Sequence, residues 1–154
     1  MSSALVPHNS VSVVIPAAKD KVWAAILNLN FSWWPIVTKV TPLTEGADPR
    51  VVGGFLLFEF KDGCKVEYQV NAIDIDHYTI SLAAVLFHPK VEGGATLNHS
   101  GRVHTIRLFE VTMTGGTFVK WETEFSSDVD MNTLTDCKCQ KEEGMAGLLK
   151  HFTH

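Results

Sequence analysis

The side chains in this sequence best suited by type to do chemistry are His104, Tyr68 and Glu110. A histidine titrates near neutral pH and can pass a proton in either direction, a buried phenol can donate one, and a carboxylate can take one up. Such a set could carry a dehydration or a ring closure. They join no known catalytic spacing, however. There is no G-x-S-x-G, H-E-x-x-H, Walker loop or G-x-G-x-x-G, and Val52-Gly53-Gly54 is too short to cradle a phosphate. The plain reading of His104 is a hydrogen-bonded wall residue. His8, His77, His88, His99 and His151 fall at ends and in loops, where a solvated histidine is the ordinary case.

The three cysteines offer little more. Cys137 and Cys139 have the wrong spacing for a strain-free disulfide or a C-x-x-C pair, and on a helix they point about 200° apart. Inert thiols are expected, with no metal site and no cofactor. Net charge is −4 and the Lys and Arg residues are scattered singly, which is not the clustered basic surface that phosphate neutralisation requires, so no nucleic-acid partner is expected. The longest apolar runs, such as Ile80 to Phe87, are far short of the roughly 20 residues of a membrane helix. The first residues lack the charged start and apolar stretch of a secretory signal. A cytoplasmic protein without stable membrane insertion is the expectation.

The elements that must position these groups follow from periodicity. The 154 residues suit one domain spanning 1–154, with residues 1–9 expected to be flexible. Val11, Val13 and Ile15 alternate with Ser12 and Val14 and predict a strand over Ser10 to Ile15 with one face buried, stopped by Pro16. Ala17 to Leu27 predicts a helix with Val22, Trp23, Ile26 and Leu27 on one stripe. A second short helical turn is expected around Pro35, in Phe31 to Val37. Strands follow at Val37 to Leu43, Val51 to Phe60, Cys64 to Ile75, Tyr78 to Phe87, Arg102 to Met113 and Thr117 to Ser126, with Lys61-Asp62-Gly63 and Thr114-Gly115-Gly116 as turns. His88 to Ser100 reads as a long loop, a length at which function or mobility is common.

The tail predicts one closing helix. Asp130, Asn132 and Thr133 are suitable N-caps, Met145, Leu148, Leu149 and Phe152 form an apolar stripe, and Lys138, Gln140, Lys141, Glu142 and Glu143 are expected on the wet face. Gly144 and Gly147 cost helix stability, and are explained either by close helix packing or a local kink, or by room left for a ligand under the helix.

This order of elements resembles the START-like helix-grip superfamily, which includes the major birch-pollen allergen, abscisic acid receptors, polyketide cyclases and dehydrases, and the lachrymatory factor synthase. The resemblance rests on Ile15-Pro16-Ala17 followed by Val22-Trp23, on Trp34-Pro35, on Val52-Gly53-Gly54, on Asp74 to Tyr78, on Val119-Lys120-Trp121 and on Gly147-Leu148-Leu149-Lys150. It implies an α+β fold: a seven-stranded curved antiparallel sheet wrapped around a long C-terminal helix, two short helices after the first strand, and an internal hydrophobic cavity.

Strand parity then nominates cavity residues. Leu56, Phe58 and Phe60 facing inward would partner Val66, Tyr68 and Val70, and Val119, Trp121, Thr123 and Phe125 separate from Lys120, Glu122 and Glu124. Arg102 to Met113 does not separate by parity; similarity to the lachrymatory synthase pattern places His104 inward. Trp33 and Trp34 fall where the family's short helices line the entrance, and adjacent helical residues cannot both face one way. With Met145, Leu148 and Leu149 these form the candidate ligand-binding set. Departures count against the family's enzymes and sensors: Leu56 and Val70 or Asn71 stand where the synthase group has an inward Arg and Glu, and the receptors' gate and latch are absent.

The expected function is binding or carriage of a small hydrophobic molecule (a lipid, sterol or polyketide-like aromatic) by a monomer or weak dimer. His104, Tyr68 and Arg107 or Arg102 are available to orient it. The alternatives are a cyclase or dehydratase using His104, Tyr68 and Glu110, and an interaction protein gated through the His88 to Ser100 loop.

Overall fold

The computed structural model describes residues 7–43, 50–88 and 102–153. Seven strands form one antiparallel sheet: β1 (His8–Ile15), β2 (Val37–Pro42), β3 (Phe55–Phe60), β4 (Lys65–Asp74), β5 (Thr79–His88), β6 (Arg102–Val111) and β7 (Gly116–Phe125), in the order β1-β7-β6-β5-β4-β3-β2. Helix α1 (Lys19–Leu27) follows β1, and helix α2 (Met131–His151) closes the chain across the inner face of the sheet. Among the described residues no helix is long and apolar enough to cross a membrane.

The first strand starts earlier than its apolar alternation indicates. His8 and Asn9, within the stretch expected to be flexible, pair with Glu124 and Thr123 of β7. The reason is polar: the Asn9 side-chain amide donates to the Leu134 carbonyl at 2.9 Å, and Phe125 N–H donates to the Pro7 carbonyl.

One helix, not two, follows β1. Leu29 and Phe31 adopt positive φ (58° and 49°), which breaks helical continuation, and the Asn28 and Asn30 side chains accept from Asn30 N–H and Ser32 N–H in successive turns. Residues 32–36 are therefore linked turns, held by Trp34 N–H to the Phe31 carbonyl and Val37 N–H to the Trp34 carbonyl. Proline at 35 fits, since the residue before it is biased away from helix.

Other boundaries move for similar local reasons. The strand expected from Val51 begins only at Phe55, because Gly53 (φ +93°) turns the chain so that Gly53 N–H reaches the Val70 carbonyl and Val70 N–H reaches the Gly54 carbonyl. Tyr78 (φ 48°) belongs to the turn before β5 rather than to the strand. The loop expected over His88 to Ser100 lies outside the described residues from position 89 onward.

Helix α2 starts where Asp130 accepts from Thr133 N–H at 2.7 Å, and Lys150 and His151 stand in its last turn, as the helix dipole favours. Its buried stripe is Cys137, Lys141, Gly144, Met145 and Leu148. A Cβ on Gly144 would come within 2.7 Å of the Trp121 ring, and one on Gly147 would overlap the Trp33 carbonyl oxygen. The glycines serve close packing of α2 on the 33–35 turns and on β7; they leave no room for a ligand.

A recess beneath helix α2

The inner face of the sheet carries Leu56 and Phe58 of β3, Val66, Tyr68 and Val70 of β4, His104, Ile106 and Leu108 of β6, and Val119, Trp121, Thr123 and Phe125 of β7, all buried. Parity therefore holds for β3, β4 and β7, and the cross-strand partners are those expected, with Leu56 opposite Tyr68 and Phe58 opposite Val66. On β6 the inner face is the one bearing Arg102, His104, Ile106 and Leu108, while Arg107 points outward and donates from Nε to Thr79 Oγ1 at 3.1 Å. Of the two candidate arginines, Arg102 is the inward one.

Aromatic rings fill the centre of this interior. Trp33 and Trp34 are both buried and both meet Trp121 edge-on, at ring-centroid distances of 5.9 and 4.7 Å. They can share a destination because turns rather than a helix carry them. Phe31 packs on Phe58 at 4.9 Å and Phe58 on Tyr68 at 4.8 Å. Among these rings the free volume shrinks to about 10 Å³, room for roughly one water and no ligand.

The usable space lies to one side. A recess of about 380 Å³ opens between the first half of α2 and the ends of β3, β4 and β6, and its walls mix rings with polar groups: Trp34, Phe60, Tyr68 and Phe87 beside Arg102 and Lys141. It also takes in Val66, His104 and Cys137, with Asp62 and Asp136 exposed at its edge. The described residues are packed solid in the middle, and the recess is amphipathic.

Hydrogen bonds define the proton state of its polar wall. Trp121 Nε1–H donates to His104 Nδ1 at 3.2 Å, and Thr123 Oγ1 lies 2.8 Å from the same nitrogen. An indole N–H can only donate, so Nδ1 accepts and the imidazole proton resides on Nε2, which faces the Tyr68 hydroxyl at 3.5 Å. Burial holds the His104 pKa well below its usual value, and the positive charges of Arg102 and Lys141 lower it further. Burial likewise raises the Tyr68 pKa, against a smaller opposing effect of Arg102. The pair is thus a neutral imidazole and a neutral phenol.

We expect nitrogen-detected NMR of the His104 ring to show the Nε2–H tautomer unchanged from pH 7.5 down to about pH 5.5, where a solvated histidine would be mostly charged. Protonation at Nδ1 with a midpoint near 6.5 would refute this assignment. The linked stability effect has a definite sign: below pH 6.5 the unfolded chain binds a proton that the folded ring refuses, so stability falls with acidification.

Two cations stand inside. The Arg102 guanidinium lies 4.8 Å from the Phe87 ring centre and 5.7 Å from that of Phe125, with Nε buried and without a hydrogen-bond partner. Lys141, assigned to the wet face by composition, is fully buried, and Nζ donates to the backbone carbonyls of Asn9 at 3.2 Å and Trp121 at 3.4 Å. Its position four residues after Cys137 and four before Met145, within the buried stripe, is the signal that could have revealed it. Gln140 is exposed as expected, and its backbone carbonyl accepts from Trp34 Nε1–H at 2.9 Å.

Of the nominated ligand-binding residues, Trp34, Phe60, Tyr68 and His104 line the recess. Phe58 and Trp121 line only the small central void, and Trp33, Leu56, Val70, Met145 and Leu148 are core. Leu149 is half-buried against that core. Glu110 is exposed near the far end of β6, opposite Thr117, and lines neither space. Among the described residues no group of His, Cys, Asp or Glu is arranged to hold a metal ion.

The sheet order and the long closing helix laid across it make a START-like helix-grip fold. Solved structures bear out that fold. A protein from Nitrosospira multiformis superposes with a TM-score of 0.77 at 23% identity, covering 96% of this chain and 97% of its own. Ginseng major latex-like protein 151 from Panax ginseng gives 0.73 at 13% identity, covering 98% of this chain and 100% of its own. Ara h 8.0201 gives 0.71 at 14% identity, covering 96% of this chain and 98% of its own. No family model and no curated protein sequence matches the chain. At these identities the likeness establishes architecture alone.

Proposed function

We propose that this protein binds a small, largely apolar molecule in the recess beneath α2, as a carrier or sequestering module. The observation that carries the reading is the recess itself: about 380 Å³ of space, walled by the rings of Trp34, Phe60, Tyr68 and Phe87, beside a central void among the described residues of only about 10 Å³. That volume is near the lower end for small-molecule sites, so a small fused aromatic or a short acyl chain fits better than a whole sterol. Burying its apolar surface at roughly 25 cal/mol per Å² supplies the affinity.

A dehydratase or cyclase using His104, Tyr68 and Glu110 finds less support. Glu110 stands away from the recess, the imidazole is a weak base where it is buried, and the phenol holds its proton.

The test is titration with the neutral fluorophore N-phenyl-1-naphthylamine. One saturable site is expected, with perturbed Trp34 indole and Val66 amide resonances. Absence of saturable binding, or perturbation confined to Phe109 and Phe118 on the outer face, would refute the reading.

A further inference from the structure

Resting on that reading, we propose that the recess selects amphipathic anions, molecules with an apolar ring system or short chain ending in a carboxylate. The carboxylate sits against the Arg102 guanidinium and the Tyr68 hydroxyl, and the apolar body lies along Trp34, Phe60 and Val66.

The argument begins with donors that the fold leaves open. Arg102 Cζ lies over the Phe87 ring at 4.8 Å and over the Phe125 ring at 5.7 Å, contacts that engage the guanidinium through its π face and leave the N–H edge to bind. Its Nε is buried and unpaired, and among the described residues no carboxylate pairs with it. A planar fork of N–H groups in that state matches the two oxygens of a carboxylate.

Tyr68 adds a second donor. Because Trp121 fixes the His104 proton on Nε2, that N–H faces the phenol oxygen and the phenolic hydrogen is free to turn toward the recess. Tyr68 lines the same recess as Arg102.

The field agrees with the donors. Lys141 places another cation in the wall, with Nζ bound to backbone carbonyls and with no carboxylate partner among the described residues. The acidic residues of the recess, Asp62 and Asp136, are exposed at its edge, where water screens them. A neutral ligand would leave the buried cations as they are, whereas an anion would pair with them.

The experiment compares two isosteric probes, 2-naphthoate and 2-naphthamide, by calorimetry at pH 7 and low salt. The acid is expected to bind about tenfold or more tighter than the amide, as a charge-assisted fork in a partly desolvated site should produce. Arg102→Gln should remove that preference by weakening the acid at least tenfold more than the amide, and Arg102→Lys should restore part of it. Should Arg102→Gln fail to fold, the Arg102 Nε–H resonance of the wild-type protein decides: the acid should shift it and the amide should not. Equal affinity for the two probes, or a preference that survives Arg102→Gln, overturns the anion selectivity and leaves the binding role standing. Binding of neither probe overturns both.

Discussion

Gly147→Ala should destabilise the protein by roughly 3 kcal/mol, although alanine is the better helix former. The gain in helix propensity is only about 0.5–1 kcal/mol. Against it, the added methyl would overlap the backbone carbonyl oxygen of Trp33 and approach Pro35 Cδ to 2.8 Å. The Trp33 carbonyl and the Pro35 ring both belong to the hydrogen-bonded 33–35 turns and cannot rotate away as a flexible side chain would, so α2 must lift from those turns, in the manner of an overpacked core. Gly144→Ala should cost less, since the atoms it meets belong to the side-chain rings of Trp121 and Trp34, which can tilt. Urea unfolding of both variants measures the difference. A neutral or stabilised Gly147→Ala would show that α2 does not pack as described, and that the space beneath it is larger.

Raising the pH from 8 to 10 should stabilise the wild-type protein by on the order of 2 kcal/mol, and Lys141→Met should abolish that rise. Burial lowers the Lys141 pKa from 10.5 to about 8, partly offset by Cys137 and Glu122. Between those values the unfolded chain holds a proton that the folded chain has released, so stability increases with pH. A tenfold difference in proton affinity between the two states is worth about 1.4 kcal/mol, which sets the size. At pH 7 the buried ammonium donates to the Asn9 and Trp121 carbonyls, a poor exchange for water. Methionine of similar length should therefore leave the protein at least as stable there, and the difference between the two stability profiles isolates this lysine from other titrations. A wild-type profile that is flat from pH 8 to 10, or a Lys141→Met protein losing more than about 1 kcal/mol at pH 7, would mean that the amine is well solvated in the fold.

The retention of such a costly group fits the anion-binding role inferred for the recess. Lys141 and Arg102 reinforce one another electrostatically, and both depress the His104 pKa. A ligand carboxylate would relieve that repulsion, so 2-naphthoate should also raise the Lys141 pKa toward its usual value, an effect the amide should lack.

Local pattern and chain order determined much of this protein by themselves. Period-two alternation in Val119 to Phe125 and in Leu56 to Phe60 assigned the inward faces of β7 and β3, because side chains on a strand must alternate whatever they pack against. The succession of one strand, two helical pieces, six strands and a closing helix pointed to the helix-grip architecture, although the second piece proved to be turns, and Asp130 was one of three N-cap candidates for α2. What only the tertiary structure decided was the interior. Two aromatic residues in sequence read as one inward and one outward, yet positive φ at Leu29 and Phe31 set Trp33 and Trp34 on turns that deliver both rings to Trp121. Lysine at 141 read as solvated, yet the approach of α2 allowed by Gly144 and Gly147 presses its ammonium against the backbone of β1 and β7. Inward parity on β6 was ambiguous until the pairing of Leu82 with His104 and His104 with Thr123 chose a face and with it Arg102. Volume is the common reason. Periodicity says which way a side chain points, whereas whether the space it points into is filled by rings or left open depends on how closely distant elements approach.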